Sequence, residues 1–421
     1  MLILHVSDTH LGAAPGGLLF RFRDVMDAFK ETVDIAIRER VDLYLHAGDF
    51  FDRATPPAEA YLVAYKHLKR LKESGIKVII VAGQHDLPRR YGISPLSLLE
   101  EVGVVDRVFI GPEIERMNIE VGSVRYELVA VPYSARGKIE LAKPRTKHSI
   151  LVAHLLLKEL GIPTADASVA SIPTGYSYVA LGDYHGTKMF RTRDGAPVVY
   201  PGATEVFRRD EYSEDGKKVA LVDLSGDEPS VQFIKLTSVR PWIIGTFDSV
   251  KQALEYVRNA VTKYGSYAKK PIVVLTVRGR EPLNLLMREL EALTRSNLIE
   301  HYVVEREGDT ESEDRRTIVG IENVEKLDLR KLIEIVVADQ RLAELVYDLV
   351  QDPCDACARK LVEALLNDPQ LLEAARKAFA SMRSTIVANY VGKRSSNSTT
   401  SSKSFGYGLG LLRFHRGVGN E

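Results

Sequence analysis

Short apolar runs alternate with longer segments of helical spacing from Met1 to about Leu236. "MLILHV" is followed by "RDVMDAFKETVDIAIRER", whose apolar residues recur every three or four positions, and then by "VDLYLHAG". The helix "PAEAYLVAYKHLKRLKES" and the strand "KVIIVAG" come next. Further strands read as "SILVAH", "YSYVALG", "PVVYPG", "KKVALVDL" and "VQFIKL". Strand–helix–strand order predicts an α/β layered fold. The later strands come with few helices between them, which predicts a mixed sheet.

The pattern restarts over residues 240–306. "RPWIIGTF", "KPIVVLTVRG" and "LIEHYVVERE" read as strands, with the helices "SVKQALEYVRNAVTKY" and "EPLNLLMRELEAL" between them. This is a compact βαβαβ module with its own core. The acidic stretch "EGDTESEDRR" opens a linker over residues 307–322. Residues 323–391 have apolar positions at helical spacing. The Ser/Gly-rich tail, residues 392–421, is expected to be disordered, although its "LGLLRFHR" could dock on something.

Composition narrows the class. A chain of 421 residues predicts two or three domains, and 45% hydrophobic with 27% charged residues fits a soluble protein with a sizeable core. Lys plus Arg equals Asp plus Glu, 57 each, so any grip on nucleic acid must be a local patch. No run of about 18 apolar residues predicts a membrane span. The chain opens directly on the strand Leu2–Val6 with no basic stretch before it, which argues for the cytoplasm. Cys354 and Cys357 stand in "PCDAC". A structural zinc site wants four ligands and no second pair exists, so incidental thiols, a local disulfide or a zinc shared between two chains stay open.

Five strand ends deliver metal-type side chains. "SDTHLG" carries Asp8 and His10, "AGDFFD" carries Asp49, and "AGQHD" carries Gln84 and His85. "LVAHL" carries His154, and "LGDYHG" carries Asp183 and His185. A single histidine at a strand end is more often satisfied by packing than by a ligand. Five such ends in one order are not explained that way. Mixed Asp, His and amide sets suit Mn²⁺, Fe²⁺ or Zn²⁺. Seven candidate ligands around a central Asp suit two ions sharing a carboxylate, an arrangement that activates water against a phosphodiester.

On these residues the sequence resembles the calcineurin-like metallophosphoesterases. Within them it is similar to the archaeal-like SbcD type, the Mre-eleven family, whose members are nuclease subunits of double-strand-break repair complexes. "GQHDLPRRYGISPLSLLEE", "YPGATEVFRRDEY" and "KKVALVDLSGD" carry the resemblance further. It implies a layered metallophosphoesterase sandwich, mixed sheets flanked by helices, over residues 1–236. It also implies a small α+β capping domain over 240–306 and a helical ATPase-partner-binding region over 323–391. It implies that Asp8, His10 and His185 hold one Mn²⁺, that Asp49 bridges, and that Gln84, His154 and Asp183 hold a second, with Mg²⁺ a possible substitute. His85 would be the catalytic histidine, protonating the leaving oxygen or stabilising the transition state rather than binding metal. The implied activity is 3′–5′ exonuclease on duplex DNA and endonuclease on single strands, with an SMC-like ATPase of the SbcC type as partner. A homodimer through "PAEAYLVAYKHLKRL" and "SPLSLLEEVG" is implied as well; Tyr61, Leu62, Val63 and Tyr65 spread over more than one helix face.

Two positions depart from the family pattern. Gln84 stands where Asn is usual and Asp183 where His is usual, both on the same inferred metal. Compensation would favour harder ions such as Mn²⁺ or Mg²⁺ there. Degeneration to a catalytically weakened DNA-end-binding scaffold is the alternative. A phosphodiesterase for small nucleotides is a third reading, disfavoured by the extra domains. His5 and His46 sit inside apolar strands and read as core or supporting residues; Asp52 and Asp86 could orient His85 or simply be solvated. Arg21, Arg23, Arg53, Lys188, Arg208 and Arg209 fall in loops next to the ligand strands, where phosphate contacts would be useful. Arg89 and Arg90 are the candidates for DNA contact.

Overall fold

The computed structural model describes residues 1–88, 92–226, 228–265, 267–279, 281–307, 337, 339–351 and 355–376. Two six-stranded sheets form the first part of the chain. The first contains β1 (Leu2–Val6), β2 (Leu43–Ala47), β3 (Lys77–Val81) and β4 (Arg107–Phe109), which are parallel. The second contains β5 (Glu115–Val121), β6 (Val124–Val131), β7 (Ser149–His154), β8 (Tyr178–Gly182), β9 (Lys188–Arg191) and β10 (Pro197–Tyr200), in the order β5-β6-β7-β8-β10-β9. Strands β11 (Lys218–Asp223) and β12 (Ser230–Lys235) return to the first sheet and run antiparallel beside β1. Both sheets are therefore mixed, as the shortage of helices predicts. The sequence pattern overlooks β4, β5, β6 and β9.

The period-2 geometry of strands explains the layers. Ile3, Leu43, Leu45, Ile79 and Val81 face inward to meet Leu128, Ala130, Ile150, Val152 and Ala180 of the second sheet. Leu4, Val6, Tyr44, Val78 and Ile80 face outward onto Phe22, Met26 and Phe29 of helix α1 (Leu19–Glu39), onto Ala60, Ala64 and Leu68 of helix α2 (Ala58–Glu73), and onto Leu96 and Leu99 of helix α3 (Pro95–Glu101). The outer face of the second sheet is covered by loops and 3-10 turns that contribute Ala135, Ile139, Leu155, Leu157 and Ile172.

A third sheet of three parallel strands follows: β13 (Trp242–Phe247), β14 (Ile272–Val277) and β15 (His301–Arg306). Helices α4 (Val250–Lys263) and α5 (Asn284–Arg295) pack Ala253, Val257, Leu286 and Leu290 against Ile243, Val273, Leu275 and Val277. This module forms one compact unit with the two sheets, Met1–Glu322, and the chain from Asn323 belongs to a second. In that second unit, α6 (Gln340–Gln351) and α7 (Asp355–Asn367) join through Leu342, Leu345, Leu361 and Leu365, with Leu371 beyond them. Most of the inferred linker, the tail and Cys354 lie outside the described residues. Among the described residues no helix is long and apolar enough to cross a membrane.

Candidate metal centre

The parallel strands of both sheets end at the same edge, which is where α/β folds collect ligand-binding groups. Asp8 follows β1, Asp49 follows β2 and Gln84 follows β3. His154 ends β7, and Asp183 follows β8. The backbone turns sharply at each exit. Asp8, His10, Asp49 and Asp183 have φ of 51, 41, 52 and 88°, and they are four of the six described non-glycine residues with positive φ. Such left-handed positions carry strain and concentrate at functional sites. Two glycines make the convergence possible. A Cβ on Gly48, itself at φ +95°, would strike the His154 ring, and one on Gly83 would strike the Asp49 carboxylate.

Asp49 lies at the centre. Its Oδ2 is 3.5 Å from His154 Nε2, 3.8 Å from His10 Nε2 and 3.9 Å from His85 Nε2. Its Oδ1 accepts the His85 backbone N–H at 2.9 Å. The Asp8 carboxylate accepts the Asp183 N–H at 3.1 and 3.2 Å, tying the first sheet to the second. Gln84 spans the remaining gap. Its Oε1 lies 2.8 Å from His154 Nε2, and its NH₂ donates to Asp183 Oδ1 at 3.0 Å. Asp8, Asp49 and His154 are fully buried, while Gln84, His85, Asp183 and His185 form a partly open rim.

Three imidazoles are oriented from behind. His154 Nδ1–H donates to the Ala47 carbonyl at 2.7 Å, His85 Nδ1–H to the Asp52 carbonyl at 2.7 Å, and His185 Nδ1–H to Glu211 Oε1 at 2.8 Å. Each arrangement leaves Nε2 facing the cluster, as metal-ligating histidines require. The charges fit a cation. Burial pushes the Asp8 carboxyl up to about 6 and the His10 imidazole down to about 3. Burial also works against the charged forms of Asp49 and His154, yet their mutual attraction wins. It holds Asp49 below the ordinary carboxylate range and His154 well above the ordinary imidazole value. His185 is raised in the same way by Glu211. Protons on His154 and His185 would balance the buried carboxylates. A divalent ion bound to the deprotonated rings would supply that charge directly. Among the described residues, three His/Asp triplets are close enough to hold an ion: Asp8–His10–His185, Asp8–Asp49–His154 and His10–Asp52–His85.

The seven inferred ligands and His85 are therefore brought together. Arg89 and Arg90 lie outside the described residues. Arg21 requires correction: it is buried, not a phosphate contact, because Asp24 (2.8 Å), Glu205 (3.3 Å) and the Val206 carbonyl enclose its guanidinium. Arg209 is also committed within the chain, to Glu305 and Thr276. Asp52 holds His85 through its backbone carbonyl rather than its carboxylate. The Asp86 carboxylate accepts from Phe50, Phe51 and Gly83 N–H at 2.9–3.2 Å and so pins two ligand loops together. His5 and His46 are wholly buried, hydrogen-bonded to Tyr178 and Thr9 at 2.9 and 3.1 Å. Glu211 and Phe207 are functional neighbours that sequence reasoning missed. Phe207 packs at ring distances of 4.9 Å from His10 and 5.6 Å from His185.

The calcineurin-like phosphoesterase family matches residues 1–160. The DNA double-strand break repair protein Mre11 of Sulfurisphaera tokodaii is 33% identical over 365 residues, 83% of this chain and 92% of that protein. Its counterpart in Sulfolobus acidocaldarius is 33% identical over 314 residues, 72% of this chain and 81% of that one. The Saccharolobus solfataricus protein is 29% identical over 367 residues, 83% and 94% of the two chains. A solved dimetal phosphatase from Danio rerio is 13% identical with a TM-score of 0.39, over 56% of this chain and 97% of that one.

Proposed function

The chain belongs to the Mre11 family of DNA double-strand break repair proteins, metal-dependent phosphodiesterases that act as nucleases, and we propose that it works as a Mn²⁺-dependent enzyme with 3′–5′ exonuclease action on duplex DNA and endonuclease action on single strands. The observation that carries this reading is the set of four imidazoles around Asp49 and Asp8, three of them with Nδ1 already committed. Asp8, His10 and His185 would hold one ion, with Asp49 shared. Gln84, His154 and Asp183 would hold the other. Bound divalent ions supply Lewis acidity toward the phosphodiester and lower the pKa of water.

The residues around them have separate tasks. His85 sits on the open rim, its side chain 36% exposed, with Nε2 directed toward Asp49. Donation of Nδ1–H to the Asp52 carbonyl makes Nε2 the position that takes up or releases a proton. His85 would use that proton on the departing oxygen of the cut strand. Glu211 and the Ala47 carbonyl hold His185 and His154 in the tautomers that face inward. Asp86 keeps the Asp49 and Gln84 loops in register.

The test is hydrolysis of linear DNA with added Mn²⁺, alongside calorimetric Mn²⁺ binding. Asp8→Asn should lose both. His85→Ala should lower the rate by about 10²–10⁴-fold, the usual contribution of a general acid, and keep metal binding. Loss of Mn²⁺ binding in His85→Ala would make His85 a ligand, as the His10–Asp52–His85 triplet allows. An inactive wild type that still binds DNA ends would favour the scaffold reading.

Two surfaces suit partners. On α2, Tyr61 and Val63 pack on the core while Leu62 is 50% exposed; Leu98 on α3 and the flanking Ile93 and Val102 are also exposed. These exposed apolar residues suit contact with a second copy of the chain. The helical unit built on α6 and α7 would bind the SMC-like ATPase, leaving Val362 and Leu366 exposed when alone.

A further inference from the structure

The three-stranded module reaches the metal centre through one short turn, Arg209–Glu211. On the module's side, Arg209 donates to Glu305 Oε2 on β15 at 3.0 Å and to Thr276 Oγ1 on β14 at 3.1 Å. Next in the chain, the Tyr212 ring lies 6.4 Å from that of Trp242 on β13. Strands β14 and β15 thus hold this turn, and β13 lies against the residue that follows it. On the other side, Glu211 Oε1 accepts from His185 Nδ1 at 2.8 Å, and Oε2 accepts the Phe207 N–H at 3.0 Å. Phe207 in turn packs against His10 and His185.

Arg209 and Glu211 are two residues apart on one three-residue 3-10 turn, so a shift of that turn would move both. We propose that Arg209 is a positioning residue: it transmits the seating of the three-stranded module through Glu211 to His185, and so sets the affinity of the metal position formed by Asp8, His10 and His185. The proposal rests on the ligand set given above. A protein or DNA segment that moved the module would then loosen one metal position without touching a ligand. The Arg209–Glu305 pair is suited to this, because both side chains are partly exposed and the pair contributes little to global stability.

The experiment is Mn²⁺ titration of the full chain by calorimetry, with melting temperature recorded for each variant. Removing the group that holds a metal-ligating histidine typically weakens metal affinity by about 10–100-fold, and Glu211→Ala should do so. Arg209→Ala acts one step further out and should weaken the same site by about threefold to tenfold. Glu305→Ala should move it in the same direction with little change in melting temperature. Arg209→Ala added to Glu211→Ala should have no further effect, since its route to His185 is already cut. Wild-type Mn²⁺ affinity in Arg209→Ala and Glu305→Ala, with binding abolished in Asp8→Asn, overturns the coupling and leaves the ligand reading standing. An equal loss from Arg209→Ala with and without Glu211 overturns it as well. Unchanged Mn²⁺ binding in Asp8→Asn would sink the ligand set and this proposal together.

Discussion

Gln84 and Asp183 should be energetically coupled, because they touch. The Gln84 NH₂ donates to Asp183 Oδ1 at 3.0 Å while its carbonyl faces His154 at 2.8 Å. The longer side chain and the shorter partner together span a gap of 3.8 Å between His154 Nε2 and Asp183 Oδ1. Gln84→Asn withdraws the amide by one C–C bond, about 1.5 Å, which takes the donor beyond hydrogen-bond range. A hydrogen bond to a charged group contributes about 1.5–3 kcal/mol. If that energy holds the ligand geometry during reaction, its loss lowers the rate by about tenfold to a hundredfold. Asp183→His removes both the acceptor and a negative charge facing His154, and should cost a similar factor. The double variant restores a short amide opposite a long imidazole and should recover most of the activity.

The assay is the initial rate of Mn²⁺-dependent DNA hydrolysis, measured against Mn²⁺ concentration for wild type, both single variants and the double. Coupling of about 0.5–3 kcal/mol is expected for residues sharing a ligand site. Additive effects, within about 0.5 kcal/mol in an active wild type, would refute compensation. A nearly inactive wild type that improves with each substitution would instead mark a weakened enzyme.

Two further outcomes are expected. Asp24 is buried between Arg21, Arg240 and Lys269, so Asp24→Asn should destabilise the protein by about 3–5 kcal/mol in urea unfolding. Burial would raise its pKa, but Arg240, Arg21 and Lys269 hold it below the ordinary carboxylate value, so its stabilisation is complete above about pH 4 and is lost as pH falls further; Asp24→Asn should flatten that acid limb. The two partner surfaces should separate: Leu62→Glu with Leu98→Glu should give a monomer by light scattering that still captures the ATPase, while truncation after Arg316 should keep the dimer and lose capture, and loss of both properties in either variant would contradict the assignment.

What the sequence made legible was local. Each ligand loop is a buried strand followed by a few polar residues, so "SDTH", "AGD", "AGQH" and "LGDYH" announce themselves within a handful of positions. The strands β1, β2, β3, β7 and β8 were legible for the same reason, since burial on both faces makes them nearly continuous apolar runs. Strand β5 was not, because Arg116, Asn118 and Glu120 on its outer face alternate with Met117, Ile119 and Val121 and leave no apolar run; the signal was there in Val121-Gly122-Ser123-Val124, a two-residue hairpin with Gly122 at φ +59°. The supporting groups were illegible for a different reason. Glu211 acts on His185 from 26 positions away, inside the charged run "RRDEY", where neither spacing nor periodicity distinguishes it from a solvated acid. Arg21 looked like a phosphate contact because its neighbours in sequence are near the ligand loops; only folding brings Glu205 and the Val206 carbonyl onto its guanidinium. Side chains that meet the reacting groups leave a short-range pattern, because a strand must present them. Side chains that position those groups need only be close in space, and that proximity is set by the packing of separate sheets.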